Sequence, residues 1–438
     1  FMLKYTLRME GKMIKSVILA AGKGTRMKSK TPKVLHQIFD KTLVGYVLDA
    51  VNNTGFVDES FVIVGHQAER VEDFIKTNYS NARTVLQSPQ LGTGHAVSMV
   101  CPYLEDFDGE VIILCGDTPL VTSDTLKKFV EYHHSVNSDI TVMSAIFDNP
   151  TNYGRIVRNS DNSVNSIVEE KDATIEQKAI KEVNAGIYCL NWAKIKPAFS
   201  QLKTNNAQGE YYLTDIIKWG NENNLNVNAH PLENNEEIYG INSKVNLAEA
   251  SKMLNQRILK HHMENGVTIV DPETTWISAD TEIGADTIIY PSCYISGKNK
   301  IGSDCKIGPF AHLRGDVILE DGVKVGNFVE VKKSIIHKNT NACHLSYIGD
   351  AEIGERVNIG AGTITANYNP LTKAKTKTTL GNDVKIGSNS VLVAPVTIEE
   401  GANVGALSVI TKDVPKWSLA ITRSPMKVLA DWVKKHIS

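Results

Sequence analysis

The segment Leu19-Ala20-Ala21-Gly22-Lys23-Gly24-Thr25-Arg26-Met27 gathers two glycines and two cations in nine residues. Glycines let a backbone approach phosphate oxygens, and the exposed N–H groups of such a loop form an anion-binding concavity. Arg26 adds a planar fork of donors, Lys23 a point charge, and Lys33 follows in Pro32-Lys33-Val34-Leu35. Two familiar phosphate loops fail on detail. A dinucleotide fingerprint needs glycine where Met27 stands, and a P-loop needs Gly-Lys-Ser/Thr where the chain has Gly24-Thr25-Arg26. A second polar run, Cys115-Gly116-Asp117-Thr118-Pro119, offers a carboxylate behind an apolar stretch. Far downstream, Arg314 and Lys332 stand eighteen residues apart. The run from Cys343 to Asp350 carries His344 and Tyr347. A neutral imidazole can take a proton from an amine during attack on a thioester, and a phenol can orient either partner.

The elements that must hold these groups fall into two kinds. From Ile277 to Val331 every sixth residue is aliphatic, often followed by glycine as in Ile283-Gly284, Ile301-Gly302, Ile307-Gly308 and Val325-Gly326. The period returns, after two slips, from Ile353 to Ile410. Period six fits neither an amphipathic helix nor an alternating strand; it marks a parallel β-helix whose three short faces close one coil. Eighteen residues is then one full coil. Arg314 and Lys332 each follow an inward aliphatic residue, so both point outward on adjacent coils at roughly the 4.8 Å strand spacing. Stacked cations repel unless an anion sits with them, which predicts a phosphate site. His344 sits where the hexad register slips, which predicts a side chain freed from the regular wall.

The first half alternates buried-strand segments at 16–21, 61–64, 84–87, 111–115 and 140–147 with helical spacing over 34–51, 69–79, 95–104 and 123–133. That pattern predicts a mostly parallel sheet covered by helices, with ligands beyond the carboxyl ends of its strands. The glycine loop and Asp117 should therefore face one crevice. The predicted organisation is an N-terminal extension at 1–12, an α/β domain at 13–242, a linker helix at 243–266, a β-helix at 267–424 and a terminal helix at 425–438. Val245, Ala248, Leu254 and Ile258 are the expected buried positions of the linker helix.

The chain has 438 residues, 42% of them hydrophobic, and a formal charge of −2. Such balance gives no electrostatic reason to expect nucleic acid or a membrane surface as partner. No apolar run is long enough to span a bilayer. Six cysteines at 101, 115, 189, 293, 305 and 343 form no CxxC pair, so neither a zinc site nor a disulfide framework is suggested. Reduced thiols point to the cytoplasm.

The nine-residue glycine string resembles the signature of the sugar-1-phosphate nucleotidyltransferases. So do Gln87-Ser88-Pro89-Gln90-Leu91-Gly92-Thr93-Gly94, Cys115-Gly116-Asp117, Tyr153-Gly154-Arg155, Glu169, Asn184 and Gly240-Ile241-Asn242. The resemblance implies a Rossmann-like fold in which Asp117 and Asn242 hold Mg2+. It implies that Arg26 and Lys33 align the phosphates of UTP against Leu19, Ala20, Ala21 and Gly22. Gln87 and Gly92 would meet uracil, Thr93 would contact the UTP or UDP-sugar, and Gly154, Glu169 and Asn184 would hold the sugar. The segments 307–314, 325–333, 343–350, 358–368, 392–395 and 420–423 are similar to those of a narrower family. Its bacterial members join acetyl transfer to glucosamine-1-phosphate with uridyl transfer to N-acetylglucosamine-1-phosphate. That resemblance implies a left-handed β-helix and a homotrimer with acetyltransfer sites between β-helices. His344 would be the base, and Arg314, Lys332, Tyr347 and Asn358 would hold glucosamine-1-phosphate. Lys373 is carried over as its phosphate lysine, with Lys375 an equal match. Asn367, Tyr368, Ser388, Ala406 and Arg423 would contact acetyl-CoA, and Leu407 stands where glycine is usual. The competing reading is a nucleotidyltransferase whose β-helix only trimerises or regulates; the strings around His344 and Asn358 argue against it. A non-catalytic scaffold is opposed by the joint presence of Arg26, Lys33, Asp117 and Asn242.

Overall fold

The computed structural model describes residues 13–437 and divides into two compact units, 1–251 and 252–438, between Ser251 and Lys252. The expected extension at 1–12 lies outside the described residues, as does Ser438.

In the first unit, strands rich in Val and Ile form one sheet in the order Val227–Pro231, Ile140–Ile146, Glu182–Asn191, Glu110–Cys115, Ile14–Leu19, Val57–Val64 and Ala82–Leu86. Along this order all pairs are parallel except those of Glu182–Asn191, which runs against both neighbours; Arg155–Arg158 and Val164–Val168 add an antiparallel pair off this path. Ile14–Leu19 lies at the centre, and the chain leaves it first toward Val57–Val64 and later returns on its other side as Glu110–Cys115. That reversal is a topological switch point, where open α/β sheets place their ligands. Hydrophobic side chains on both sheet faces are buried, among them Val17, Ile63 and Ile113 on one face and Ile18, Val62 and Ile112 on the other.

Two helical expectations need correction. The segment 34–51 is not one helix: a short turn at Lys33–Leu35 and a hairpin of Gln37–Ile38 with Lys41–Thr42 precede the helix Leu43–Asn52. Thr42 sets the helix start by accepting a hydrogen bond from the Gly45 N–H at 3.1 Å, the side-chain cap such a start needs. The segment 95–104 is a helix over Thr93–Ser98 and a separate turn at Cys101–Tyr103, where Pro102 cannot continue a helical ladder.

In the second unit, successive coils build three parallel sheets. The first face runs from Thr268–Ile269 to Leu419–Ala420, the second from Trp276–Ile277 to Val409–Ile410, and the third from Glu282–Ile283 to Val396–Ile398. The hexad residues are the core: Ile277, Ile295, Leu313, Val331, Ile348, Leu392 and Ile410 stack inside the second face, all buried. A left-handed β-helix of hexapeptide repeats accounts for this stacking. The slips are located at one corner. Val331 is followed inward by Ile336 and Ile348 by Ile353, so these two turns are a residue shorter, and Lys324 pairs with Asn341 rather than with residue 342. His344 therefore does not sit at the slip. It ends the regular strand Asn341–His344, paired across from Asn327, and is exposed because its corner faces outward. One coil is expanded: Ile359 pairs with Ile386, and the extra residues form the loop between Asn367 and Thr376.

In the helix Lys244–Glu264 the expected Leu254 is buried and Ile258 packs partly buried against the core, whereas Val245 and Ala248 are exposed and Ala250 and Leu259 are buried as well. After Arg423 the chain forms turns and not the expected terminal helix. Met426, Val428, Leu429, Trp432 and Val433 are all exposed there, so no packed face supports a helix that short.

Close packing between coils gives a test of the fold. A Cβ added at Gly326 would lie 2.1 Å from the Cys343 carbonyl oxygen of the next coil. Backbone cannot yield as a flexible side chain can, so Gly326→Ala is expected to cost about 3 kcal/mol in this unit. Calorimetry should show a lower β-helix transition beside an unshifted α/β transition; an unchanged trace contradicts the packing described.

Candidate functional site

Lys33, Asp117 and Asn242 meet at the carboxyl edge of the first sheet. The Lys33 Nζ donates to the Asp117 Oδ2 in a close ion pair and to the Asn242 Oδ1 at 3.2 Å. Asn242 is brought there by a backbone bond from Ile241 N–H to the Asp117 carbonyl, 3.0 Å. Gly24 is left-handed at φ 58°, and a Cβ on it would lie 2.8 Å from the Lys33 Cβ, so glycine lets loop and lysine close together. These groups line a crevice of about 530 Å3 with Leu19, Ala20, Ala21, Gly22, Lys23, Arg26, Gln87, Gly92 and Thr93. The two runs predicted to face one crevice do so.

Gln87 is buried, and its amide donates to the Gly92 carbonyl at 2.9 Å. Gly92 has φ 112°, and its would-be Cβ would be 2.6 Å from the Tyr211 carbonyl oxygen, which leaves room only for glycine. Thr93 Oγ1 accepts from the Leu213 N–H at 3.0 Å, fixing the crevice wall. Gln90 and Glu210, given no site role from sequence, also line it; Gln90 donates to the Ala21 carbonyl at 3.1 Å and braces the glycine loop. Gln90 lay within a motif already noted, whereas Glu210 had no sequence signal.

Gly154, Glu169 and Asn184 also converge. A Cβ on Gly154 would lie 3.5 Å from both Glu169 carboxylate oxygens, and the Asn184 N–H donates to the Gly154 carbonyl at 2.9 Å. Burial raises the Glu169 carboxyl above its ordinary value, opposed by a hydrogen bond from Thr214 Oγ1 at 3.3 Å. The Cys115 thiol beside the crevice is pushed up to about 12, first by burial and then by the Asp117 charge, so it is no nucleophile. Asp117 and Asn242 are oxygen donors that already converge on one cation, the Lys33 ammonium. Hard oxygen donors of this kind suit Mg2+.

On the β-helix a second cluster forms on the outer side of the second face. Arg314 and Lys332 end adjacent strands of that sheet, as the one-coil spacing predicted. Arg314 pairs with Glu330 at 2.6 Å. The Lys332 ammonium is held below its ordinary value by burial and then by the charges of Lys375 and Arg314. Of the two loop lysines that matched equally in sequence, Lys375 is the one brought against Lys332. An antiparallel bridge between Tyr368 and Lys375 closes the base of the inserted loop and aims Lys375 back, whereas Lys373 sits in the left-handed bend at φ 58°. Tyr347 leans over Gly349, where a Cβ would be 2.4 Å from the phenol oxygen. Asn367 is buried and donates to the Asp350 carboxylate, beside this cluster. Asn358 lies elsewhere, exposed on the first face between Asn341 and Lys385.

His344 opens a third alignment. Its carbonyl accepts from Gly362 N–H, that of Ala361 from Asn389, that of Ser388 from Leu407 and that of Ala406 from the Arg423 guanidinium. Ser388, Ala406 and Arg423 thus follow His344 down one corner of successive coils. Four coil steps span roughly 19 Å at strand spacing. Leu407 occupies the left-handed corner position at φ 61° and is exposed.

An α/β unit with a glycine phosphate loop and paired Asp and Asn, followed by hexapeptide coils, is a nucleotidyltransferase joined to a hexapeptide transferase. Residues 15–235 match the nucleotidyl transferase family, and residues 300–333 and 377–412 match the bacterial transferase hexapeptide (six repeats) family. Among curated relatives, the bifunctional protein GlmU of Acetivibrio thermocellus is 44% identical over 96% of this chain and 97% of its own. The bifunctional protein GlmU of Caldanaerobacter subterraneus subsp. tengcongensis is 46% identical over 96% and 98%. That of Geobacillus thermodenitrificans is 45% identical over 93% and 95%. The chain belongs to the bifunctional GlmU family. It is an enzyme with uridyltransferase and acetyltransferase activities in UDP-N-acetylglucosamine synthesis.

Proposed function

We propose that the crevice around Lys33 performs uridyl transfer and that the cluster around Arg314, Lys332 and Lys375, with the His344 corner, performs acetyl transfer. One observation carries this assignment. Cationic groups close into two separate anion sites, Lys33 with Arg26 and the glycine loop, and Arg314 and Lys332 with Lys375 from the inserted loop.

In the first site an oxygen of N-acetylglucosamine-1-phosphate attacks the α-phosphate of UTP, and the bond to pyrophosphate breaks. Two anions must meet, so positioned positive charge supplies the catalysis and no covalent intermediate is needed. Arg26 and Lys33 neutralise and align the phosphates. Asp117 and Asn242 hold Mg2+, which when bound supplies further charge neutralisation. Gln87, Gly92 and Thr93 face the base, and Gly154, Glu169 and Asn184 face the sugar.

In the second site the amine of glucosamine-1-phosphate attacks the acetyl-CoA thioester carbonyl, the C–S bond breaks, and CoA leaves as its thiol. Its phosphate lies with Arg314, Lys332, Lys375 and the Tyr347 phenol, while His344 accepts the amine proton. Ser388, Ala406 and Arg423 receive the coenzyme along the corner below His344, with Asn367 and Tyr368 on the coil between His344 and Ser388. We place these sites between copies in a homotrimer. Asn358 lies on a different face from the phosphate cluster, so a neighbouring copy is needed to bring the two together. The exposed Phe310 and Phe328, stacked at 5.0 Å, and Leu345 give an apolar corner for such contact. The partners are thus UTP, glucosamine-1-phosphate, acetyl-CoA and further copies of the chain. Among the described residues no helix is long and apolar enough to cross a membrane. Six cysteines outside any disulfide fit the reducing cytoplasm.

The loop lysine gives a direct test. A charge-assisted hydrogen bond to phosphate contributes roughly 1.5–3 kcal/mol. Lys375→Ala is therefore expected to raise KM for glucosamine-1-phosphate at least about tenfold. Lys373→Ala should leave it unchanged. The reverse pattern in steady-state kinetics would return the role to Lys373.

A further inference from the structure

Within the first unit, well away from the crevice, Glu110, His133 and Cys189 are buried, and one ligand atom of each lies within 4.8 Å of the others. We propose that these three side chains form a zinc-class metal site that fastens the helix Ser123–Ser135 to the central sheet, distinct from the magnesium position at Asp117 and Asn242. Glu110 opens the strand that Asp117 follows, so roughly 20 Å of extended chain separates the two places.

The donors come from three elements on one side of the sheet. Cys189 pairs in register with Ile112 on one neighbouring strand and Thr141 on the other, and Glu110 pairs with Asn191 two residues along. His133 projects onto them from the covering helix. The Glu110 Oε1 is 3.8 Å from the His133 Nε2. That is longer than a hydrogen bond, and close to the roughly 3.4 Å that separates two nitrogen or oxygen ligands of a tetrahedral metal with bonds of about 2.0–2.1 Å. The outer partners also fit. Thr141 Oγ1 lies 2.7 Å from the His133 Nδ1, so a proton on Nδ1 leaves the Nε2 lone pair turned toward the cluster. His134 Nε2 lies 2.6 Å from the other Glu110 oxygen and holds the carboxylate in place. His134 is partly exposed and marks the way in.

The donor set selects the metal. Imidazole, thiolate and carboxylate are ligands for zinc or cobalt, whereas magnesium requires oxygen and water. Binding releases the Cys189 thiol proton to solvent, and the thiolate and the Glu110 carboxylate together balance a divalent ion. A ligand that binds only the folded state raises its melting temperature by mass action.

The test uses the full chain equilibrated with zinc buffered by a weak chelator, then desalted. The expected result is one zinc per chain, a raised melting temperature, and a zinc-edge X-ray absorption spectrum with one sulfur neighbour at about 2.3 Å and nitrogen or oxygen at about 2.0–2.1 Å. Cys189→Ser and His133→Gln, checked as folded by retained uridyl transfer, should each lose both the zinc and the thermal shift. The wild-type spectrum decides even where a variant fails to fold. No retained zinc, an absorption shell without sulfur, or folded variants that bind as wild type does would overturn the proposal.

Discussion

Asp117→Asn is expected to abolish uridyl transfer while acetyl transfer continues at the wild-type rate. The substitution keeps the size of the side chain and leaves the backbone bond from Ile241 to the residue-117 carbonyl in place. What it removes is charge. Lys33 loses its ion-pair partner, and the pair of oxygen donors with Asn242 loses the anion that makes it a divalent-cation site. Metal and cation stabilisation of a phosphoryl transition state amounts to several kcal/mol, and each 1.36 kcal/mol is a decade, so kcat should fall at least about 10³-fold. Pyrophosphate release and CoA release, measured on one preparation, separate the two activities. Wild-type pyrophosphate release would remove Asp117 from the site.

His344→Ala is expected to do the opposite. Its carbonyl accepts from Gly362 N–H and Ser346 Oγ, contacts that alanine retains, and its side chain is exposed, so the coil stays intact. Loss of a positioned general base costs about 10²–10⁴-fold, read here as kcat for CoA release with little change in uridyl transfer. A variant with wild-type CoA release would assign the proton to another group. A variant defective in both reactions would point to a folding effect.

The hexads were legible because the repeat is the burial pattern itself: one inward aliphatic per face, three faces per coil. That alone placed Arg314 above Lys332 and predicted an anion between them. Side chains whose position depends on a turn were less legible. Two shortened corners at Lys333 and Asp350 reset the register, so face counting from sequence put the slip at His344 when it lies on either side. The inserted loop hid which lysine returns to the cluster, because its direction depends on the Tyr368–Lys375 bridge and not on any period. In the first unit the strands and the crevice followed from alternation and from glycines at strand ends. The apolar residues between 34 and 51 mimic one helix although a hairpin interrupts it, with Phe39 left-handed at φ 53°. Glu110, His133 and Cys189 carry no motif spacing, since sheet pairing and a covering helix bring them together. Reading the cysteines by spacing alone suggested no zinc site.

The central claim is that two separate sites on this one chain perform consecutive transfers. Purified protein given glucosamine-1-phosphate, acetyl-CoA, UTP and Mg2+ tests it in one vessel. The account predicts UDP-N-acetylglucosamine with CoA and pyrophosphate released in equal amounts. Asp117→Asn should stop at N-acetylglucosamine-1-phosphate, and His344→Ala should make product only when that intermediate is supplied. Well-folded wild type that converts N-acetylglucosamine-1-phosphate but releases no CoA from glucosamine-1-phosphate would contradict the account and leave the β-helix as a scaffold.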